Sequence, residues 1–518
     1  MDWRTKLLAP LVRAGFLTGA LACGAPSSGA NATTSDAGGG HAVTTQADAP
    51  DTGTEASAPA QEGSETGGYD DGGSFAGDTG SNDAGAARAD VPAIACTDAT
   101  TDVYATPSGL PAMTADQRGA VVACAFDASF GPADVASKLA AKGVAGVTPT
   151  SGTTFYRIEY RTYRDDGVPG LSSARVYLPT TARALPLPVV AIAHPTEGLA
   201  PGCAPSMNAT DLDDLALPWA AHGFAVIATD YAGLGTPGIQ GYTDNHDEAH
   251  SVLDSARALR AMLDPRALDS RVLLVGYSQG GGAVLAAQGL AGAYGSGGHV
   301  LAAVVFAAEY FARANSFGYE TLLGEPDALT ISTGISKPVV AAMRDYAFAY
   351  NVLGAGEATA TFPAAQQSGV QGAITTLCQT PFGGYLQGAA VHVGDIFDDT
   401  FRASLLGCDS GDAGCSGLAS QFHSWAQADV IPPDPAGAPI LYVQGLTDTI
   451  MPPAQEAACN VAGLTAAGVG VQVCTDPSAD HTDVVARNVA TALSWSEAML
   501  AGGSPPACSS SGMPACQP

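Results

Sequence analysis

Basic residues are scarce in this chain: 21 Lys and Arg stand against 50 Asp and Glu, for a formal net charge of −29. So acidic a surface repels phosphate backbones, and nucleic acid is not an expected partner. Long apolar runs are missing too. The stretch 7–22 is interrupted by Arg13 and is too short to span a bilayer stably. Large apolar residues are almost absent from 24–95, which therefore cannot bury enough surface to offset its ordering entropy. That stretch is expected to be a disordered tether. It holds eleven carboxylates and one Arg, so about a third of the net charge belongs to the tether and not to a fold. No cysteine pair has C-x₂-C spacing, and no metal or other cofactor is expected.

The N-terminus carries an export pattern. Arg4 and Lys6 precede the apolar stretch, Ala20-Leu21-Ala22 gives a small-x-small cleavage site, and Cys23 follows directly. Residues 1–23 read as a signal, with Cys23 the candidate lipidation site of a bacterial lipoprotein and a tether to the membrane. Leu21 sits one place from the usual lipobox position, so simple secretion is the alternative. Ten cysteines remain after Cys23, an even number that suits an oxidising compartment and five disulfides. The sequence-near pairs Cys408/Cys415, Cys459/Cys474 and Cys508/Cys516 are the candidates. Residues 96–518 are expected to fold as one domain, acting as a monomer outside the cell or at its surface.

Two segments, 155–160 and 174–178, alternate with period two, as an antiparallel pair with one wetted face would. Continuous apolar runs then follow at 187–193, 224–228, 272–275, 300–307, 440–443 and 469–473. Runs of this kind, separated by helical patterns such as the amphipathic 254–263, indicate strands buried on both faces in a parallel sheet. The fold class is α/β, a mostly parallel doubly wound sheet. Between the strands near 309 and 438 lie about 125 residues without this rhythm, apart from a helical 339–353. That is too long for a crossover, and 311–437 is expected to be an inserted, largely helical cap over the strands' C-terminal crevice. An extension away from the crevice is the alternative.

The run 271–275 ends in Gly276-Tyr277-Ser278-Gln279-Gly280, followed by Gly281, Gly282 and Ala283. G-x-S-x-G between a short strand and a small-residue helix is a nucleophile elbow, which lifts Ser278 Oγ above the sheet and aims a helix N-terminus at it. On such a fold the acid and then the histidine follow the nucleophile in the chain. Asp448, closing the 438–448 strand segment, is the acid, with Glu309 the rival. His481 is the only histidine after Asp448 and is the general base by elimination. The expected oxyanion donors are Gln279, through its backbone N–H, and Thr196 in the loop after 187–193. Tyr231 and Tyr277 are candidate pocket-lining residues. His246 and His250 have the i,i+4 spacing of a zinc helix, but Glu248 is misplaced for that chemistry, and an acid-capped helix start is the preferred reading.

Ser278 in Gly-Tyr-Ser-Gln-Gly, Asp448 in Gly-Leu-Thr-Asp-Thr-Ile-Met-Pro and His481 in Asp-His resemble the secretory lipase family, the fungal lipase A type and its bacterial relatives. Similar blocks are His194-Pro-Thr-Glu-Gly198, Cys203-Ala-Pro-Ser206 and Ala228-Thr-Asp-Tyr-Ala-Gly-Leu-Gly235. The resemblance runs from about 150 to 500. It implies an α/β-hydrolase with a helical cap, hydrolysis of acylglycerol or other carboxylic esters, and a Cys203–Cys378 bridge. Family members often carry His-Gly-Thr-Thr-Gly in the oxyanion loop, where Pro195 and Glu197 stand here. Glu197 is expected to face solvent. The elbow also resembles that of cutinases, but those chains are short and capless. A cutinase-like or short-chain esterase is thus the rival enzyme, and a surface binding protein on a hydrolase fold the rival outside enzymes.

Overall fold

A computed structural model describes residues 91–517 except 106–109, 111, 182–184, 209, 311–336, 391–394 and 411–413. The expected signal, Cys23 and nearly all of the expected tether lie outside the described residues, as does the start of the expected cap. The described residues belong to one compact unit, Asn82–Pro518.

The scaffold is a nine-stranded sheet ordered β1-β2-β3-β5-β4-β6-β7-β8-β9. Its parallel part consists of β4 (Leu187–Ala193), β5 (Ala225–Ala232), β6 (Leu268–Tyr277), β7 (His299–Phe306), β8 (Ile440–Gly445) and the edge strand β9 (Val471–Asp476). All neighbouring pairs among these six are parallel. Every residue of β4, β5 and β8 is buried, which is why their sequences read as unbroken apolar runs. Parallel alignment brings Ala193, Gly276 and Val305 into register, so the loops leaving β4, β6 and β7 emerge at one edge.

Layers of helix cover both faces. Helices α3 (Asn245–Met262) and α4 (Gln279–Tyr294) lie on one face, with Val252, Leu259, Val284 and Leu285 in its core. On the other face lie α1 (Pro132–Ala141) and α2 (Leu217–Ala221), where Leu139 and Trp219 pack against Val190 and Val226. Helix α3 starts nine residues before the predicted segment and is buried almost all round, so its amphipathic pattern understates its contacts.

The strands β1 (Val121–Phe130), β2 (Thr153–Tyr163) and β3 (Pro169–Pro179) add an antiparallel edge. The expected wetted face is not there: β3 is buried along nearly its whole length. Its polar residues are matched internally. Arg175 pairs with Asp127 at 2.7 Å and stacks on Phe155, and Ser173 donates to Asp230 at 2.6 Å. Strand β1 escaped prediction because its apolar residues are mainly small, and its two large outward ones, Val122 and Phe126, are exposed.

Between β7 and β8 the described residues form α5 (Lys337–Phe348), α6 (Gln367–Ile374), α7 (Gln379–Ala389), α8 (Asp399–Ser410) and α9 (Gly417–Ala428). A π-helical turn, Ala349–Leu353, extends α5. These helices share an apolar cluster of their own, centred on Phe348, Phe422 and Trp425, with Phe348 and Phe422 edge-to-face at 4.8 Å. Leu199, Tyr242 and Met451 belong to the same cluster, so the insertion packs on loops that leave the sheet's C-terminal edge.

Five disulfides join the ten described cysteines: 96–124, 203–378, 408–415, 459–516 and 474–508. The Cys408/Cys415 expectation holds, as does the Cys203–Cys378 bridge implied by resemblance. Cys459/Cys474 and Cys508/Cys516 do not pair. The C-terminal tail runs back along β9, where Thr475 N donates to Ser509 O at 2.7 Å, and exchanges the partners.

Candidate active site

Ser278 stands between β6 and α4 with φ 55° and ψ −119°, a conformation that side-chain-bearing residues rarely adopt. Its surroundings impose it. Ser278 N donates to Phe306 O at 3.0 Å, while its carbonyl accepts from Gly282 N at 3.2 Å and Glu309 N at 3.0 Å. A Cβ at Gly280 would strike the carbonyls of Ala193 and His194, and one at Gly276 the carbonyl of Gly280. The glycines of the motif let α4 approach the end of β4 this closely.

The structure brings together three of the residues picked out by motif and chain order. His481 Nε2 lies 3.0 Å from Ser278 Oγ, and His481 Nδ1 lies 2.8 Å from Asp448 Oδ2. All three are buried, at 1%, 2% and 3% exposure for Ser278, His481 and Asp448. The Asp448 carboxylate is well satisfied: Oδ1 accepts from Ile450 N at 2.9 Å and Met451 N at 2.8 Å, and Oδ2 also accepts from Gln444 Nε2 at 3.3 Å. The loop after β8 is tied to the histidine loop, with Thr447 Oγ1 donating to Ala479 O at 2.7 Å. Tyr277 Oη donates to His481 O at 2.6 Å, so the residue before the serine anchors the loop that carries the ring.

The two residues expected as oxyanion donors also come from separate elements. Gln279 is the first residue of α4, where a backbone N–H has no carbonyl partner within the helix. Its side chain donates to Glu248 Oε1 at 2.7 Å. Thr196 is buried, and its Oγ1 lies 2.9 Å from Tyr242 Oη. Tyr231, itself at φ 65°, donates through Oη to His194 O at 2.9 Å and so holds the same loop. The insertion reaches this loop as well: Gln379 N donates to Glu197 O at 2.8 Å, next to the Cys203–Cys378 bridge. Glu197 is half-buried rather than solvent-facing, and burial pushes its carboxyl up to about 8, leaving it mostly neutral at pH 7.

Tyr242 carries no motif, and Glu248 is marked in the sequence only by its place inside His246-Asp-Glu-Ala-His250, with its zinc-like histidine spacing. Those histidines go elsewhere. His246 faces Asp429, and His250 stacks on Tyr294 with ring centres 4.2 Å apart. Asp244 caps the helix, accepting from Asp247 N at 2.9 Å. Among the described residues no group of three or more His, Cys, Asp or Glu is arranged to hold a metal ion.

Residues 206–308 match the family model described as secretory lipase. The chain has the α/β-hydrolase fold. The family segment takes in Ser278, Tyr242 and Glu248 but stops short of Asp448 and His481. Among solved structures, Candida antarctica lipase A is 18% identical to this chain, with 81% of this chain and 92% of that one covered, and superposes with a TM-score of 0.56. The rice cell wall degrading esterase LipA from Xanthomonas oryzae is 21% identical, with 74% and 97% covered and a TM-score of 0.55. A putative hydrolase from Legionella pneumophila is 18% identical, with 72% and 97% covered and a TM-score of 0.53. Comparison of the chain with curated proteins finds no match.

Glu309, the rival acid, contributes its backbone N–H to Ser278 O, but its carboxyl is fully buried and both oxygens lack a hydrogen-bond partner. Burial pushes it up to about 8, with Arg344 partly opposing and Glu456 adding to the rise. A carboxyl raised in the folded state favours folding most below its unfolded value near 4.5, and that contribution is lost as pH rises through 8. Glu309→Gln is therefore expected to flatten the stability profile between pH 5 and 8 by on the order of 3 kcal/mol. Thermal midpoints of both proteins across that range check this; parallel profiles would show that Glu309 does not titrate there.

Proposed function

We propose that the protein is an exported serine ester hydrolase of lipase type, acting on acylglycerol or other carboxylic esters through an acyl-enzyme on Ser278. One observation carries the reading: the buried line Ser278–His481–Asp448, beginning at a strained strand-to-helix turn. In this reading His481 Nε2 takes the Ser278 proton as Oγ attacks the ester carbonyl carbon. Gln279 N–H and Thr196 hydrogen-bond the resulting oxyanion, and the dipole of α4 favours the same charge. The C–O bond to the alcohol then breaks, and His481 gives that alcohol its proton. Water, deprotonated by His481, attacks the acyl carbon and releases the acid and free Ser278. Asp448 fixes the ring so that Nε2 is the basic nitrogen.

The insertion, in this reading a cap, has an apolar cluster that meets Leu199 and Met451 from the loops of the site. Such a roof suits an acyl chain better than a charged substrate. Export, with Cys23 as a lipid anchor, fits the five disulfides, and no helix among the described residues is long and apolar enough to cross a membrane. Hydrolysis of p-nitrophenyl esters of graded chain length tests the assignment. Turnover extending to long acyl chains is the expected result. Activity confined to acetate and butyrate would replace lipase with short-chain esterase, and inactivity on every ester would remove the proposal.

A further inference from the structure

Two side chains outside the triad stand behind the two residues assigned to the oxyanion hole, and both come from one short stretch that runs from the loop after β5 into the first turn of α3. Tyr242 Oη lies 2.9 Å from Thr196 Oγ1, and Glu248 Oε1 accepts from Gln279 Nε2 at 2.7 Å. Both contacts are buried. We infer that 242–248 is the positioning element of the oxyanion hole, with Tyr242 orienting Thr196 and Glu248 orienting Gln279. This rests on the ester-hydrolase reading and adds to it two residues that contact Thr196 and Gln279 from behind.

The stretch is built to keep this shape. Thr243 has φ 57°, uncommon for a β-branched residue, and its N–H donates to the same Glu248 Oε1 at 2.8 Å. Asp244 closes the turn, its side chain accepting from Asp247 N and its carbonyl from Glu248 N at 3.0 Å. The left-handed residue thus turns Tyr242 towards the loop after β4 while Glu248 faces the start of α4. Ordinary helix capping requires only the Asp244 contacts. It does not require a buried carboxyl aimed at the residue after the nucleophile.

The chemistry of each contact suits the role. If Thr196 gives its hydroxyl hydrogen to an oxyanion, its oxygen must accept from another donor to stay fixed. Tyr242 is such a donor; burial raises its phenol well above the usual value, so it keeps its proton. Glu248 holds an amide, for which one carboxyl oxygen suffices. Burial raises this carboxyl well above the usual range, so it fixes Gln279 without placing a full negative charge beside a developing oxyanion.

The full-length protein tests this with Tyr242→Phe, Glu248→Ala and Glu248→Gln, each normalised by titrating reactive Ser278 with a p-nitrophenyl phosphonate. On p-nitrophenyl butyrate, Tyr242→Phe and Glu248→Ala are expected to lower kcat about tenfold or more, with KM changed less than about twofold. Glu248→Gln keeps an acceptor oxygen in place and is expected to restore kcat to within about threefold of wild type. A merely structural role would lower the thermal midpoint and the fraction of titratable Ser278 but leave kcat per titrated site unchanged, and that result overturns the inference. So does a Glu248→Gln variant as slow as Glu248→Ala. If Glu248→Ala fails to fold, Tyr242→Phe, which deletes one oxygen, decides alone. Wild-type protein without ester turnover would instead end the ester-hydrolase reading, and this inference with it.

Discussion

Ser278→Ala is expected to cut turnover of p-nitrophenyl esters by about 10⁴–10⁶-fold while leaving the fold in place. In the proposed reaction the loss is large because the serine supplies the only step that converts a bound ester into a covalent intermediate. Oxyanion donors and substrate binding remain, so the residual rate should still exceed that of water. The fold should survive because the substitution deletes one oxygen at a site 1% exposed, leaves the packing carbons alone and keeps a Cβ at the same positive φ. Three measurements separate the outcomes: kcat, the thermal midpoint, and labelling by a fluorophosphonate. An unchanged midpoint with labelling and turnover both lost is the expected set. Turnover within tenfold of wild type would place the nucleophile elsewhere and remove the reading built on Ser278–His481–Asp448.

The features legible in the sequence are those written locally. A β-branched run followed by Gly276-Tyr277-Ser278-Gln279-Gly280 specifies a strand, a strained turn and a helix in consecutive residues, and all three are found. The parallel strands β4 to β8 were legible for a similar reason: burial on both faces leaves apolar runs, whereas β9 lies at the sheet's edge and is mostly half-buried. His481 and Asp448 needed only chain order and the lack of any later histidine. Contacts between side chains far apart in the chain leave no such trace. Tyr242 to Thr196, Glu248 to Gln279 and Tyr277 to His481 join positions 46, 31 and 204 residues apart. The wetted face assigned to β2 and β3 failed because Ser173 and Arg175 look solvent-facing in a pattern yet are buried with Asp230 and Asp127. Pairing cysteines by proximity held for Cys408/Cys415 and failed for Cys459/Cys474 and Cys508/Cys516, because the tail folds back and brings Gln517 N to Ala454 O at 2.9 Å and Cys516 to Cys459.

Asp448→Asn should be the next most damaging change, lowering kcat about 10³–10⁴-fold with little effect on KM. Asp448 receives four donors: two backbone N–H groups on Oδ1, and Gln444 Nε2 and the His481 ring on Oδ2. Asparagine offers one acceptor oxygen and one NH₂. If the oxygen keeps Ile450 N and Met451 N, the NH₂ faces His481 Nδ1, donor against donor. The ring then relieves the clash by moving its proton to Nε2, the atom 3.0 Å from Ser278 Oγ, and loses the lone pair that would take the serine proton. Rotating the amide only moves the clash onto two buried backbone N–H groups. Labelling of Ser278 should therefore slow in parallel with kcat, and strong alkali should recover part of the rate by ionising the serine directly. Glu309→Gln provides the control, since its carboxyl is also buried near the nucleophile but has no hydrogen-bond partner. It should retain kcat within a few-fold. If instead Glu309→Gln is the crippled variant and Asp448→Asn the active one, the acid lies at the end of β7 and the Asp448–His481 contact is structural.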